Sequence, residues 1–218
     1  MPTIKNNSST LKPHFSKKEA INFGFKVAKE NISFFLSVFV VWALLIIVSQ
    51  ALQFNLKLNK QLLLSFIFSL SMLVVNSIIA MGIINICLKF VDGKKPNLKD
   101  IIFTKNLFNF ILASIIRNII IFAGFILFII PGIIFSIKLQ YSEYLIVDKK
   151  LDAVSSIKKS WEMTKGVKWN LFLFGVLLGL INILGVLALL LGLLITVPLS
   201  LIANTYVYRK LYSQTYPK

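Results

Sequence analysis

Acidic residues are scarce in this chain. Its 218 residues include eight Asp+Glu against 24 Lys+Arg, and charged residues make up only 15% of it. A soluble domain carries about 25%, so this composition cannot clothe a water-facing surface. There is one cysteine, Cys87, which excludes an intramolecular disulfide. Set in an apolar run, it reads as a small buried hydrophobe. The one histidine, His14, stands in a polar segment without neighbouring ligands, so no metal site is expected. Catalytic signatures are missing too. No Gly-rich phosphate loop, His cluster or hydrolase elbow is present, and hydrolysis or group transfer usually needs an acid/base, a nucleophile or a metal. Seven of the eight acidic residues fall in or beside polar connecting segments; Asp148 and Asp152, one helical turn apart, read as helix-start residues. The chain is therefore read as non-enzymatic, with no cofactor. No cleaved signal peptide is expected, because Met1–Asn31 is polar and basic and the first apolar run is too long for one.

Long apolar runs stand where a soluble chain would have charge. Ile32–Leu52 has no charge, and Leu62–Leu88 is longer still. Asn106–Ile130 is interrupted only by Arg117. Ile133–Val147 is short and holds Lys138 and Glu143, so a re-entrant segment is the alternative there. Trp169–Tyr208 is free of charge for 40 residues, enough for two crossings, with a reversal expected near Asn182–Gly185. A crossing needs about 20 residues at ~1.5 Å each. Pro131-Gly132 is expected to break the chain between the third and fourth crossings, since proline lacks an N–H and glycine allows a tight reversal.

The predicted fold is all-α: an integral membrane bundle of six transmembrane helices arranged as three hairpins. Loop charge sets its orientation. With the N-terminus inside, 20 of the 24 basic residues lie on the inner side, and only Lys57 and Lys60 lie outside. Both termini are then cytoplasmic. The same split argues against the re-entrant alternative, which would carry Lys149–Lys168 outward. The chain divides into a basic segment over 1–31, a membrane domain over 32–211 and a tail over 212–218.

Each hairpin is entered through a basic junction of Lys, Asn and aromatics: Lys29–Phe35, Lys105–Phe110 and Lys168–Phe172. A weak internal repeat explains this, and so does ordinary interfacial anchoring. Two approach segments read as helices. Ser16 and Glu19 fit a capping box. Leu151, Val154, Ile157 and Trp161 share a face that ends before Gly166. Such helices lie in the headgroup region or pack against the bundle.

Pro131-Gly132-Ile133-Ile134-Phe135 is followed by Tyr144–Asp148, then by Ser160-Trp161-Glu162-Met163-Thr164-Lys165-Gly166. Pro198, Ala203 and Tyr208–Leu211 complete the order, and Gly82 and Gly93–Pro96 fit upstream. The pattern resembles the YciC-like group of bacterial six-span membrane proteins. It is also similar to the membrane domain attached to some glycerophosphoryl diester phosphodiesterases. The resemblance implies a helical bundle in the bacterial cytoplasmic membrane. It does not imply diesterase activity, because the catalytic barrel of that family is a separate domain.

Intramembrane polar residues are the remaining candidates. Arg117 stands 14 residues before Pro131 and Glu143 stands 11 after Gly132. The depth mismatch is about three residues, or ~4.5 Å, so the two are expected to meet, with Asp148 as the rival partner. Lys138 would repel Arg117 and lies nearer the outer end. Ser136, Gln140 and Glu143 share a helical face. Intramembrane charges are often functional, but an Arg–Glu pair can equally lock a hairpin. Asn76, Asn85, Asn118, Asn182 and Asn204 are expected to act as interhelical glue, and Pro198 to kink the last span. Two functions follow as expectations. One is a protein that organises membrane lipids, anionic ones included, or a membrane-protein partner, without nucleic acid. The other is a small transporter with a polar path around Arg117, Gln140 and Glu143.

Overall fold

The computed structural model describes residues 13–58, 60–188 and 191–217. Among these residues the chain is all-helical, with no strand. The helices are α1 (Lys17–Glu30), α2 (Ile32–Leu58), α3 (Leu62–Val91), α4 (Leu107–Leu127), α5 (Ile129–Leu139), α6 (Ser142–Lys149), α7 (Ala153–Met163), α8 (Lys168–Leu187) and α9 (Leu193–Thr215), with a 3-10 turn at Leu98–Ile101. Four of them, α2, α3, α4 and α8, are long and apolar enough to cross a membrane. These carry large apolar side chains on open faces, from Val40 to Phe54 on α2 and from Leu62 to Val74 on α3. A helix apolar all round belongs in a hydrophobic surround. The 11 residues of α5 reach only ~16 Å.

The packed core sits at the other end of the molecule. It joins the last third of α3, α6, α7 and the second half of α9 around Met81, Leu145, Met163 and Tyr208. The N-terminal approach helix lies along α9. Ser16 caps it by accepting the Glu19 N–H. Gly24 lies against the Leu199 carbonyl, the Tyr206 hydroxyl donates to Glu19, and His14 and Gln214 exchange two hydrogen bonds.

Two chain reversals differ from the sequence expectation. The break between α4 and α5 is at Phe128, whose backbone is extended, and not at Pro131-Gly132. Pro131 lies in the first turn of α5, where a missing N–H leaves no intrahelical bond unmade. Gly132 instead lets the two arms close: its own Cα lies against Gly124, and an added Cβ would strike the Phe125 ring. The second reversal falls between Leu187 and Leu193, not at Asn182–Gly185. Asn182 is inside α8 and donates to Ser200 Oγ at 3.0 Å, so its polarity serves helix pairing rather than a turn.

Approach helix α7 packs by an unexpected face. Ala153, Ser156, Ser160 and Met163 are buried, whereas Val154 and Trp161 of the apolar stripe stay open. Small hydroxyl side chains let α7 approach the bundle closely and satisfy polar backbone there. Asp152 caps it by accepting the Ser155 N–H at 3.0 Å, as its position implied. Gly166 has φ +87°, the left-handed turn that favours glycine after a helix.

Candidate functional site

Arg117 and Glu143 do meet. Arg117 Nη2 lies 3.0 Å from Glu143 Oε1, which also accepts the Ser114 hydroxyl at 2.8 Å. The two side chains are 22% and 18% exposed, so the pair is largely shielded. Arg117 Nε and Gln140 Nε2 are buried without a hydrogen-bond partner. Both are donors, and the Arg117 guanidinium thus keeps a donor beyond the one it gives Glu143. The Ser136 hydroxyl donates to the Gly132 carbonyl at 2.9 Å.

Removing one member of a shielded pair leaves an uncompensated charge. Arg117→Leu should therefore destabilise the protein by about 2–3 kcal/mol, somewhat under the range for a fully buried pair. The Arg117→Leu/Glu143→Leu double variant should recover most of that loss. Equal damage in the single and double variants, read by thermal unfolding in detergent, would dismiss the pair as a stability element.

Asp148, the rival partner, is occupied elsewhere, and it is not a helix-start residue. It ends α6, where it accepts Tyr208 Oη at 2.8 Å and Arg209 Nη1 at 2.6 Å. Arg209 also grips Asp92 through Nε and Nη2, at 2.9 and 2.7 Å. This clamp ties the ends of α3 and α6 to α9. Sequence spacing did not reveal it, because its members lie 61 and 117 residues apart.

The second cluster forms where the helix stops between α5 and α6. Gln140 ends α5 and Tyr141 opens α6. Ser160 fills the gap. Its hydroxyl donates to the Lys138 carbonyl at 2.8 Å and accepts the Tyr141 N–H at 3.2 Å. Thr164 Oγ1 reaches the same carbonyl at 3.4 Å. One turn of α7 thus supplies partners that the broken helix cannot supply itself. Ser160→Ala should cost about 2 kcal/mol, since it strands a buried acceptor and a buried donor. Ser213→Ala, at an exposed position of α9, should stay within about 0.5 kcal/mol. Denaturant titration of both variants checks this, and equal effects would refute the role assigned to Ser160.

The same contact sets the side chains around it. Lys138 Nζ sits 3.4 Å from the centroid of the Trp161 ring, and Phe135 packs on that ring at 6.0 Å. Lys165 and Lys168 are close enough to act on the charge of Lys138. Lys138 joins the basic connector that follows α7. Beside it runs a groove of about 210 Å³ lined by Ile130, Ile133, Ile134, Ile137, Lys168, Trp169 and Phe172. Of the motif residues, Ser160, Trp161 and Thr164 meet at Lys138 and lead into Lys165 and Gly166, whereas Pro131 opens α5 and Gly132 packs against α4. Pro198 lies apart, buried inside α9 beside Phe35, Cys87 and Leu201.

Carboxylates elsewhere are committed to structure. Outside the membrane runs, the backbone N–H of Asn97 and the ammonium of Lys89 hold the Asp100 carboxyl below the usual carboxylate range. Glu162 accepts Tyr216 Oη at 2.6 Å. With Glu19, Asp92, Glu143, Asp148 and Asp152 already described, seven of the eight acidic side chains have a hydrogen-bond or ion-pair partner.

No protein-family profile matches the chain, and no solved structure matches it. Over 136 residues, 60% of its length, it is 29% identical to the uncharacterised protein Rv2560 of Mycobacterium tuberculosis. The same identity and coverage relate it to the uncharacterised protein Mb2590 of Mycobacterium bovis. The matched stretch spans 40% of those relatives.

Proposed function

We propose that the chain is a non-enzymatic, six-span membrane protein of the YciC-like type that organises lipid or a membrane partner. On this reading α5 and α6 together form the fourth crossing and α9 the sixth, with both termini and the basic connectors on the cytoplasmic side of a bacterial membrane. One observation carries it. Seven of eight carboxylates are held by structural partners, so the acid and base groups a hydrolase needs are already engaged, while a large lysine excess stays available. Juxtamembrane lysines attract anionic lipid, by about 1 kcal/mol each.

Thiol labelling of intact cells tests the arrangement. In a Cys87→Ala background, Lys60→Cys should react with an impermeant maleimide from outside, and Lys158→Cys should react only after the membrane is opened. Labelling of Lys158→Cys in sealed cells would overturn the topology. The transporter remains the second reading, supported by two buried donors without a partner, Arg117 Nε of the pair with Glu143 and Gln140 Nε2. It requires that the folded Arg117→Leu/Glu143→Leu protein lose solute flux in proteoliposomes; the first reading requires no flux in either form.

A further inference from the structure

We propose that the junction of α5, α7 and α8 is a binding site for an anionic glycerophospholipid, with its phosphate on Lys138, Lys165 and Lys168 and an acyl chain along the isoleucine groove. The inference rests on the membrane reading above and adds to it a place and a ligand class.

The first argument is charge. Lys168 lines the groove, Lys138 lies on the ring of Trp161 beside it, and Lys165 stands three residues before Lys168 in the same connector; none of the three forms an ion pair among the described residues, which include every Asp and Glu of the chain. Glu162 lies in the same segment, but Tyr216 takes its carboxylate. Like charges left together are a standing repulsion. A phosphate diester relieves it, and an ammonium carries three donors for its oxygens. Trp161 contributes its ring face to Lys138 and leaves that demand for an anion in place.

A second argument comes from what adjoins the cations. Lys168 lines the groove itself, whose other walls are Ile130, Ile133, Ile134, Ile137 and Phe172. A soluble phosphate has no use for five apolar side chains. A lipid presents both parts in this order, with an anionic head continuous with a hydrocarbon chain. Trp161 and Trp169 flank the boundary between them, and both are exposed. Indoles favour the depth at which headgroup gives way to acyl chain.

Rigidity is the third argument. Ser160 and Thr164 hold the Lys138 carbonyl, and Gly166 turns the chain so that Lys168 opens α8 on the far side of the groove. The cations are thereby anchored to α5, to the start of α8 and to the short turn between α7 and α8 rather than to a loose tail, which lowers the ordering cost of binding.

Native mass spectrometry of the full chain, released from nanodiscs of mixed phosphatidylglycerol and phosphatidylcholine, tests the site. Wild-type protein should retain phosphatidylglycerol in preference to phosphatidylcholine. Lys138→Gln/Lys165→Gln/Lys168→Gln should lower that retention at least tenfold. Lys17→Gln/Lys18→Gln/Lys29→Gln, which removes equal charge from α1, should leave it unchanged. Equal loss in both triples would reduce the effect to general basicity and overturn the site. Displacement of the lipid by inorganic phosphate alone would overturn the lipid as ligand. A Trp169→Cys disulfide dimer that forms in place of lipid retention would make the groove an interface between copies, again overturning it.

A second measurement covers a lysine triple that fails to fold. In the Trp42→Phe/Trp169→Phe protein, Trp161 is the only indole. Its fluorescence should be quenched at least twofold more by doxyl-labelled phosphatidylglycerol than by doxyl-labelled phosphatidylcholine. Equal quenching removes the site and leaves the membrane reading intact. Failure of the protein to float with liposomes at all removes that reading as well, so the two failures are distinguishable.

Discussion

Gly82→Leu is expected to destabilise the protein by about 3 kcal/mol, the upper part of the range for overpacking. Gly82 faces the 3-10 turn at Leu98–Ile101 so closely that an added Cβ would stand 1.9 Å from the Ile101 carbonyl oxygen and 2.4 Å from its carbon. Those atoms are backbone, so no side-chain rotamer relieves the clash. The turn itself is stiff. Asn97 and Asp100 cap it reciprocally, and Lys89 of α3 holds Asp100 at 2.6 Å. Either the turn leaves α3 and breaks these bonds, or α3 bends. Gly82→Ala should follow the same direction with a smaller loss. Gly175 and Gly179 on α8 have no atom within 4 Å of the equivalent position, so Gly175→Ala and Gly179→Ala should be neutral or slightly stabilising, as alanine's helix propensity implies. Thermal unfolding in one detergent compares the set. A Gly82→Leu protein as stable as Gly175→Ala would refute the close approach.

Hydropathy is a local property, so the apolar runs of α2, α3, α4 and α8 are legible residue by residue. The meeting of Arg117 with Glu143 was legible too, because counting outward from a hairpin tip fixes depth to within a turn. That count survived a pivot at Phe128 in place of Pro131-Gly132, since three residues are less than one turn. The stop at Gln140-Tyr141 had no such signal. Leu139-Gln140-Tyr141 contains no breaker, and the helix ends there only because Ser160, 19 residues away from Tyr141, offers the broken backbone its partners. The reversal after Leu187 is similarly hidden, falling within a leucine-rich stretch, while the turn-forming Asn182 and Gly185 pack against α9. Asn182 admits two readings from sequence, a turn and interhelical glue, and only the second fits its bond to Ser200. The structure uses several polar residues of the apolar runs as contacts between elements distant in sequence.

Arg209→Leu should show the same dependence on distant partners, with a loss of about 3 kcal/mol. Its guanidinium is the only cation bonded to both Asp92 and Asp148 among the described residues, and each carboxylate receives at least one N–H from it. Its removal leaves two like charges near one another, with Tyr208 Oη and Lys149 Nζ remaining on Asp148. The arms differ in value. Asp148 is 11% exposed and Asp92 34%, so water compensates Asp92 far better. Asp92→Asn alone should therefore cost no more than about 1 kcal/mol. Asp148→Asn in the Arg209→Leu background should restore much of the loss, because the neutral amide still accepts from Tyr208 while a largely buried charge left with Lys149 alone is gone. Asp92→Asn in that background should restore little. Urea titrations of the full double-mutant cycle give the coupling energies. Equal rescue by the two asparagines would mean that exposure does not rank the arms. No rescue by either would mean that Arg209 acts through packing of its stem between α3 and α9 rather than through its charge.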